Sequence, residues 1–368
     1  MGGGIAGLSA AAKLGENARV TVLEAEESIG YHSTGRSATM LHYALGNPVV
    51  RELTLASRPL FDQPPEDFTD VPLGKVMPVL VFAAEDELAA LDELDRAIAP
   101  FAALERVGRE EMTRLCPMLR TGKGGAVSGL VDPNGLRLDP HALLQANLRK
   151  LRHGGGNLVT SARVEAIGRS AGRWQVRDEG GRSFSAGILV NAAGAWCDAI
   201  ARLAGVAPLG LEPKRRTIIT FDAPEGCDPA DWPFAKTVGE ELYFAPESGR
   251  VFASPMDEVP TNPCDAQPED YEVALAAQRV EERTTMKVSR IAHKWAGLRT
   301  FAPDRKPVAG FAADCEDFFW LAGQGGFGIQ TSPMIAEATA SLICGTRWPL
   351  GSVTPEELGA GRFAGQPA

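Results

Sequence analysis

Apolar and polar positions along this chain switch repeatedly between a helical and a strand period. After a glycine-rich start, "LSAAAKL" is alanine-rich and suits a helix. "ENARVTVLEAEE" then gives a turn and a short apolar strand over residues 20–23, ending at Glu24. "PHALLQANLRKLRHGGG" is a second helix, with Asp139 as N-cap, Pro140 at the first helical position and glycines 154–156 to stop it. "NLVTSARVEAI" and "GRWQVRDEGGRSFSAG" read as strands, and Gly180-Gly181 as the tight turn of a β-meander. "GILVNAAGAWCDAIARLAG" is a buried strand over 188–190, a small-residue turn and a helix. "DFFWLAGQGGFGIQTSPMIAEATASLICG" repeats the order strand, glycine loop, helix. Strands alternating with helices predict an open parallel sheet.

Between about residues 209 and 288 the pattern changes. Prolines and short strands dominate ("RRTIITFDAP", "ELYFAPESGRVFAS"), and one helix stands out over 271–283. This predicts a second, mostly antiparallel lobe, to which "VPLGKVMPVLVFA" (71–83) adds a strand by an early excursion. The expected fold class is therefore α/β, with two domains of α+β character. A dinucleotide-binding domain takes 1–45, 135–207 and 289–350, a substrate domain takes 46–134 and 208–288, and a loosely held tail takes 351–368.

Composition narrows the function. A net charge of −10 argues against nucleic acid or an anionic membrane as the main partner, since both need a basic surface. The six cysteines show no C-x-x-C spacing, and free thiols in a reducing compartment are the expectation. The five histidines show no ligand spacing, so no metal site is inferred. Met1 runs straight into glycines without a basic leader, and no apolar run approaches the roughly 18 residues of a membrane span. A cytoplasmic location is expected; peripheral contact with the inner membrane stays open.

Chemistry begins at the first residues. Gly2, Gly4 and Gly7 form G-x-G-x-x-G, and Glu24 lies 22 positions after Gly2. Glycines of this kind let backbone approach a pyrophosphate at a helix N-terminus, and an acid about 20 residues on can hold an adenosine ribose. The pattern normally follows a buried strand, yet only Met1 precedes it here, so the first strand of the fold is absent from the sequence as written. The neighbouring strands would then expose unpaired backbone groups, which puts cofactor affinity and folding in doubt. Further on, "GYHSTGRSATM" surrounds Arg36 with the hydroxyls of Ser33, Thr34 and Ser37, all candidates for phosphate or flavin contacts.

On "GYHSTGRSA", "LVNAAGAWCDAIARLAGVAPLGLEPKRR", "KWAGLRTF" and "GQGGFGIQTS", the chain resembles the D-amino-acid oxidase superfamily of FAD enzymes. Within that superfamily it is similar to the bacterial D-arginine dehydrogenase and D-amino-acid dehydrogenase group, from residue 2 to about 340. The resemblance implies a Rossmann-type FAD domain and a mixed-sheet substrate domain. It implies that Gly2, Gly4 and Gly7 cradle the pyrophosphate and that Glu24 takes the ribose. Ser33, Thr34, Arg36 and Ser37 would line the cofactor, and Val164 would meet the adenine through its backbone. Ala193, Gly194 and Trp196 would lie beside it, with Gly325, Gly326, Gly328, Ile329, Gln330 and Thr331 along the flavin and ribityl chain. The Gly326 carbonyl would accept from the substrate amine.

The same resemblance turns Arg216 and Arg299 into a substrate clamp. Arginine's planar fork matches a carboxylate, and two in one pocket disfavour a nearby ammonium, so the amine can lose its proton before hydride leaves Cα. Tyr243 would close over the substrate. Four positions depart from the D-arginine enzyme: Val79 replaces the glutamate that pairs with the guanidinium, Leu45 replaces a lid tyrosine, and Met40 and His42 replace a histidine and a threonine of the pocket. A guanidinium left against valine would stay unpaired, which costs several kcal/mol.

The expectation is FAD-dependent oxidative deamination of a D-amino acid with an apolar or aromatic side chain, by hydride transfer to flavin N5. Oxygen or a quinone would take the electrons. The alternatives are a sarcosine, glycine or 2-hydroxy-acid oxidoreductase of the same superfamily, or a non-catalytic protein that cannot hold FAD.

Overall fold

The computed structural model describes residues 1–365. The chain builds a cofactor-side layer of parallel strands and helices, and beside it one large, mostly antiparallel sheet.

In the first layer, Thr21–Leu23 pairs in parallel with Asn157–Val159, and Leu189–Asn191 pairs in parallel with Cys315–Ala322. Val308–Ala312 adds an antiparallel edge to Cys315–Ala322. Between the two parallel pairs lie Met1 and Gly2. The Gly2 amide donates to the Leu23 carbonyl at 2.8 Å, the Ala192 amide donates to Met1 at 2.9 Å, and the Met1 amine donates to Val190 at 2.6 Å. Two residues thus stand where a whole central strand was expected, and they satisfy part of both neighbours.

Three helices cover this layer. Ile5–Leu14 starts three residues earlier than its alanine run suggests, so that Gly7 lies inside it. Pro140–His153 has the expected cap: the Asp139 carboxylate accepts from the Ala142 amide at 2.9 Å. Gly328–Cys344 ends at Gly345, which takes a left-handed conformation (φ 68°) as helix-terminating glycines do. Their shared core joins Ile5 and Leu8 to Leu144 and Leu148, and Ala10 to Leu321, Ile335 and Ala338. The meander Val164–Ser170, Arg173–Asp178 and Ser183–Ala186 turns at Gly181.

The large sheet has ten strands. Across it run Gln324–Gly325, Ile291–Phe301, Glu212–Asp222, Arg250–Ser254, Tyr243–Glu247, Phe234–Thr237, Val79–Ala83, Ser128–Asp132 and Glu105–Val107, with Val259–Pro260 paired beside Glu212–Asp222. Only Phe234–Thr237 and Val79–Ala83 run parallel to each other. Successive side chains point to opposite faces. One face sends Leu80, Ala235, Phe244, Ala253 and Ile219 into a core covered by Met112 and by Val273, Ala276 and Val280 of the helix Asp270–Arg283. The other face carries Val81, Lys236, Tyr243, Ile218 and Arg216, and turns toward the first layer.

Several predicted boundaries shift. Ile291–Phe301 pairs along nearly its whole length with Glu212–Asp222, so it belongs to the large sheet and not to the cofactor-side segment 289–350. The helix Pro48–Asp62 sends Val49, Leu53 and Phe61 into the cofactor-side core, although it falls within 46–134. Segment 71–83 splits: Gly74–Val76 joins a small sheet with Leu136–Leu138 and Met40–Leu41, and only Val79–Ala83 reaches the large one. The tail is not loose as far as residue 365. Val353, Leu358 and Phe363 are buried, and Thr354 caps the helix Pro355–Leu358. The rest of the predicted tail, 366–368, lies outside the described residues.

Candidate cofactor and substrate cleft

One continuous cleft runs between the two layers, from Met1, Gly2 and Gly4 at one end to Arg216, Tyr243 and Arg299 at the other. At its head the glycines are required by close approach. Gly2 has φ 107°, and a Cβ there would lie 2.2 Å from the Ala192 carbonyl oxygen. A Cβ on Gly7 would lie 1.9 Å from the carbonyl oxygen of Gly2. Gly7 does not border the cleft, against the expectation for it; it packs helix onto loop. The first helical turn leaves amides without intrahelical acceptors. One of them, on Ile5, donates to Thr34 Oγ1 at 3.1 Å. Glu24 borders the cleft, and its carboxylate accepts from the Gly3 amide at 2.6 Å and the Glu26 amide at 2.9 Å. Loop and acid are held as one rigid unit, with carboxylate lone pairs to spare.

Ser33, Thr34, Arg36, Ser37, Val164, Ala193, Gly194 and Trp196 also border the cleft, as do Gly325, Gly326, Gly328 and Ile329. Two polar groups differ in role from the sequence expectation. Ser33 Oγ donates to the Leu298 carbonyl at 2.6 Å. Arg36 is not free for a phosphate: it donates to the carbonyls of Ala266 (2.9 Å) and Ala296 (3.2 Å) and pairs with Asp265. It staples the serine-rich loop to the large sheet. Gln330 and Thr331 do not border the cleft. Gln330 accepts from the His42 amide and donates to Thr54 Oγ1 at 2.8 Å, and Thr331 Oγ1 donates back to Phe327.

The inner end of the cleft gathers cations. Arg216 is 5% exposed. Its Nε donates to the Asp257 carbonyl at 2.7 Å, its Nη2 lies 3.5 Å from Glu258, and its Nη1 has no partner. Asp257 also accepts from the amide and hydroxyl of Thr217, which fixes the strand beneath the arginine. Arg299 makes no side-chain hydrogen bond or ion pair among the described residues, and its open side faces the cleft. Burial, and then the neighbouring Arg216, pull it down to about 10. Gly326 lies against it: a Cβ there would sit 2.9 Å from the guanidinium carbon. Tyr243 is buried with its hydroxyl unpartnered. Two guanidiniums and a phenol thus present unused donors to one space.

Met40, His42, Leu45 and Val79, expected in the substrate pocket, do not border the cleft as it stands. Val79 is fully buried in the inner core with Phe234, Tyr43 and Met77. Leu45 packs with Val50, Phe301 and Phe327. The His42 ring packs tilted against Phe234, with centroids 5.6 Å apart, and burial first, then Lys236 and Arg299, push it down to about 3, so it is neutral at ordinary pH. Sequence reasoning missed Asp257, Glu258 and Lys236. Lys236 had a signal: it is the lone charge in the short strand Phe234–Thr237.

Residues 1–342 match the family model described as DAO, FAD dependent oxidoreductase. The chain belongs to this family. The match covers the glycine loop, the serine-rich loop, both arginines and the Gly325–Gly328 turn. Over 272 residues this oxidoreductase is 28% identical to hydrogen cyanide synthase subunit HcnC of Pseudomonas aeruginosa, covering 71% of this chain and 60% of that protein. It shares its fold with FAD-bound L-alpha-glycerophosphate oxidase from Mycoplasma pneumoniae (TM-score 0.84, 17% identity, 97% of each chain). It also shares it with glycine oxidase from Geobacillus kaustophilus (TM-score 0.83, 20% identity, 97% and 96%). The cofactor of this family is FAD, and the residues here fit it: the head of the cleft is a backbone cradle that only glycine leaves open. Among the described residues no helix is long and apolar enough to cross a membrane.

Burial and Arg216 give Arg299 a titration that a carboxylate ligand would read. Only its cationic form, present below about pH 10, could pair with a carboxylate. The dissociation constant of a simple carboxylate that carries no amine, followed through the flavin absorbance, is expected to stay flat from pH 7 to 9. It should weaken by up to about tenfold per unit above 10. A flat profile to pH 11 would assign carboxylate binding elsewhere.

Proposed function

We propose that this oxidoreductase oxidises a D-amino acid to its imino acid, which water then converts to the 2-oxo acid and ammonia. The observation that supports this is the meeting of Arg216, Arg299, Tyr243 and Gly326 at the inner end of the cofactor cleft. FAD, when bound, supplies the two-electron acceptor that receives the hydride of Cα. Arg216 and Arg299 grip the substrate carboxylate through donors that have no other partner. Tyr243 Oη closes on the same group. The Gly326 carbonyl accepts from the amine, and the two guanidiniums favour its neutral form. Positioning supplies most of the rate, and no general base is required of the protein. Oxygen or a quinone takes the electrons onward.

Glycine oxidase, among the structural neighbours, is named for a related substrate. D-stereochemistry rests on the resemblance of the strings around Arg216 and Arg299. The replacement of the acid of the D-arginine enzyme by Val79 supports a substrate without a cationic side chain, although Val79 itself packs behind the wall of the cleft.

The test is anaerobic bleaching of the bound flavin by paired D- and L-amino acids, sarcosine, glycine and a 2-hydroxy acid. D-enantiomers are expected to reduce it at least about a hundredfold faster than L. Reduction by the hydroxy acid alone, or by D-arginine and D-lysine ahead of neutral D-amino acids, would overturn the reading.

A further inference from the structure

Arg216 has a resident acid beside it. Glu258 Oε1 lies 3.5 Å from Arg216 Nη2, at the outer limit of a hydrogen bond. The same oxygen lies 2.9 Å from Arg305 Nη2, and Glu258 Oε2 lies 3.0 Å from Arg305 Nη1 and 3.6 Å from Lys214. Arg305 thus takes the carboxylate by the paired contact that suits a guanidinium, and Arg216 receives only the remainder. Burial works against the charge, yet Arg305 first, then Arg216 and Lys214, hold the Glu258 carboxyl below the usual carboxylate range, so it is an anion at neutral pH.

Arg305 is itself fixed in place. Its guanidinium lies 3.9 Å from the centre of the Phe301 ring, its amide donates to the Ala302 carbonyl at 2.8 Å, and its carbonyl accepts from Asn47 at 3.1 Å. Its backbone is left-handed, with φ 59°, a conformation that a non-glycine residue keeps where its surroundings impose it. The neighbouring Asp257 carboxylate is already committed to the amide and hydroxyl of Thr217. Glu258 is therefore the acid that can turn. Its Oε1 needs to move by less than about 1 Å to sit at ordinary hydrogen-bond length from Arg216. An acid seated there would fill donors that a ligand carboxylate needs and cancel the charge that attracts it.

We propose that Arg305 is a positioning residue for the substrate clamp: it holds Glu258 off Arg216 and so keeps Arg216 open to a carboxylate. This rests on the reading above in one respect, that Arg216 binds a carboxylate. Arg305 acts through Glu258, and its removal closes the clamp from within.

The experiment uses the FAD-loaded protein, with valerate titrated against the flavin absorbance at neutral pH and fixed ionic strength. Arg305→Met is expected to weaken valerate about tenfold and Glu258→Gln to tighten it about threefold, while the double variant matches Glu258→Gln within about twofold. With the preferred amino acid, the loss in Arg305→Met should fall on KM, and kcat should stay within about twofold. Unchanged binding in Arg305→Met overturns the proposal. So does a double variant as weak as Arg305→Met, which would make Arg305 a direct attractor of anions or a structural residue. Weaker binding in Glu258→Gln overturns it too, even where Arg305→Met cannot be purified. Arg216→Met separates the two levels. If it leaves valerate binding unchanged, the clamp falls and this proposal with it. If it weakens valerate while Arg305→Met does not, only the role of Arg305 falls.

Discussion

Replacing Arg299 by Met is expected to lower kcat/KM for the preferred amino acid by roughly a thousandfold. Two charge-assisted hydrogen bonds to a carboxylate contribute about 1.5–3 kcal/mol each, and about 4 kcal/mol corresponds to roughly three powers of ten. The loss should appear mainly in KM and in the affinity for simple carboxylates, since in the proposed function the residue grips the substrate before and during hydride departure. Thermal stability should move the other way. Among the described residues Arg299 has no hydrogen-bond or ion-pair partner, and burial beside Arg216 already weakens its charged form. Removing it relieves a repulsion, so the unliganded protein is expected to melt at a higher temperature. Steady-state kinetics and a melting curve check both halves. A variant that loses activity and stability together would instead make Arg299 a structural residue.

Gly7→Ala is expected to empty the cleft of flavin, while Gly4→Ala should keep most of it. The two glycines look alike in the sequence, and their surroundings separate them. An added methyl on Gly7 would stand 1.9 Å from the Gly2 carbonyl oxygen, a backbone atom whose loop also carries the amides that meet Leu23 and Glu24. Relief requires moving the loop, at a cost of about 3 kcal/mol or more. On Gly4 the methyl would meet only Thr34 Oγ1, at 3.3 Å, a side chain that can yield. The ratio of flavin to protein absorbance after dialysis should fall at least about a hundredfold in apparent affinity for the first variant and less than tenfold for the second. Equal retention would show that the loop is not rigid.

How much of this was legible beforehand depends on the range of the interactions. Asp139, Pro140 and Gly154 act within one turn of their own helix, and the helix lies where they place it. Glu24 was readable from its distance to Gly2, because one turn, one helix and one strand fix that separation. Arg36 was not: its partners Ala266 and Ala296 are some 230 and 260 residues away, and no local pattern announces them. Ile291–Phe301 was assigned to the wrong layer for the same reason, since its partner strand Glu212–Asp222 lies far upstream. Val79 and Leu45 were placed by position alone, and the packing of Phe234 and Phe327 puts them behind the wall of the cleft. Lys236 was overlooked because a single lysine reads as solvated until the sheet shows which face it occupies.

The two faces of the large sheet carry different duties on alternate residues. Ile219, Phe244 and Ala235 pack into the outer core, and Arg216, Ile218 and Tyr243 border the cleft on the opposite face. Mutational drift at the inward positions can therefore retune what the enzyme accepts without loosening its foundations. A library randomised at 216, 218 and 243 should yield more folded members, with divergent appetites, than one randomised at 219, 235 and 244.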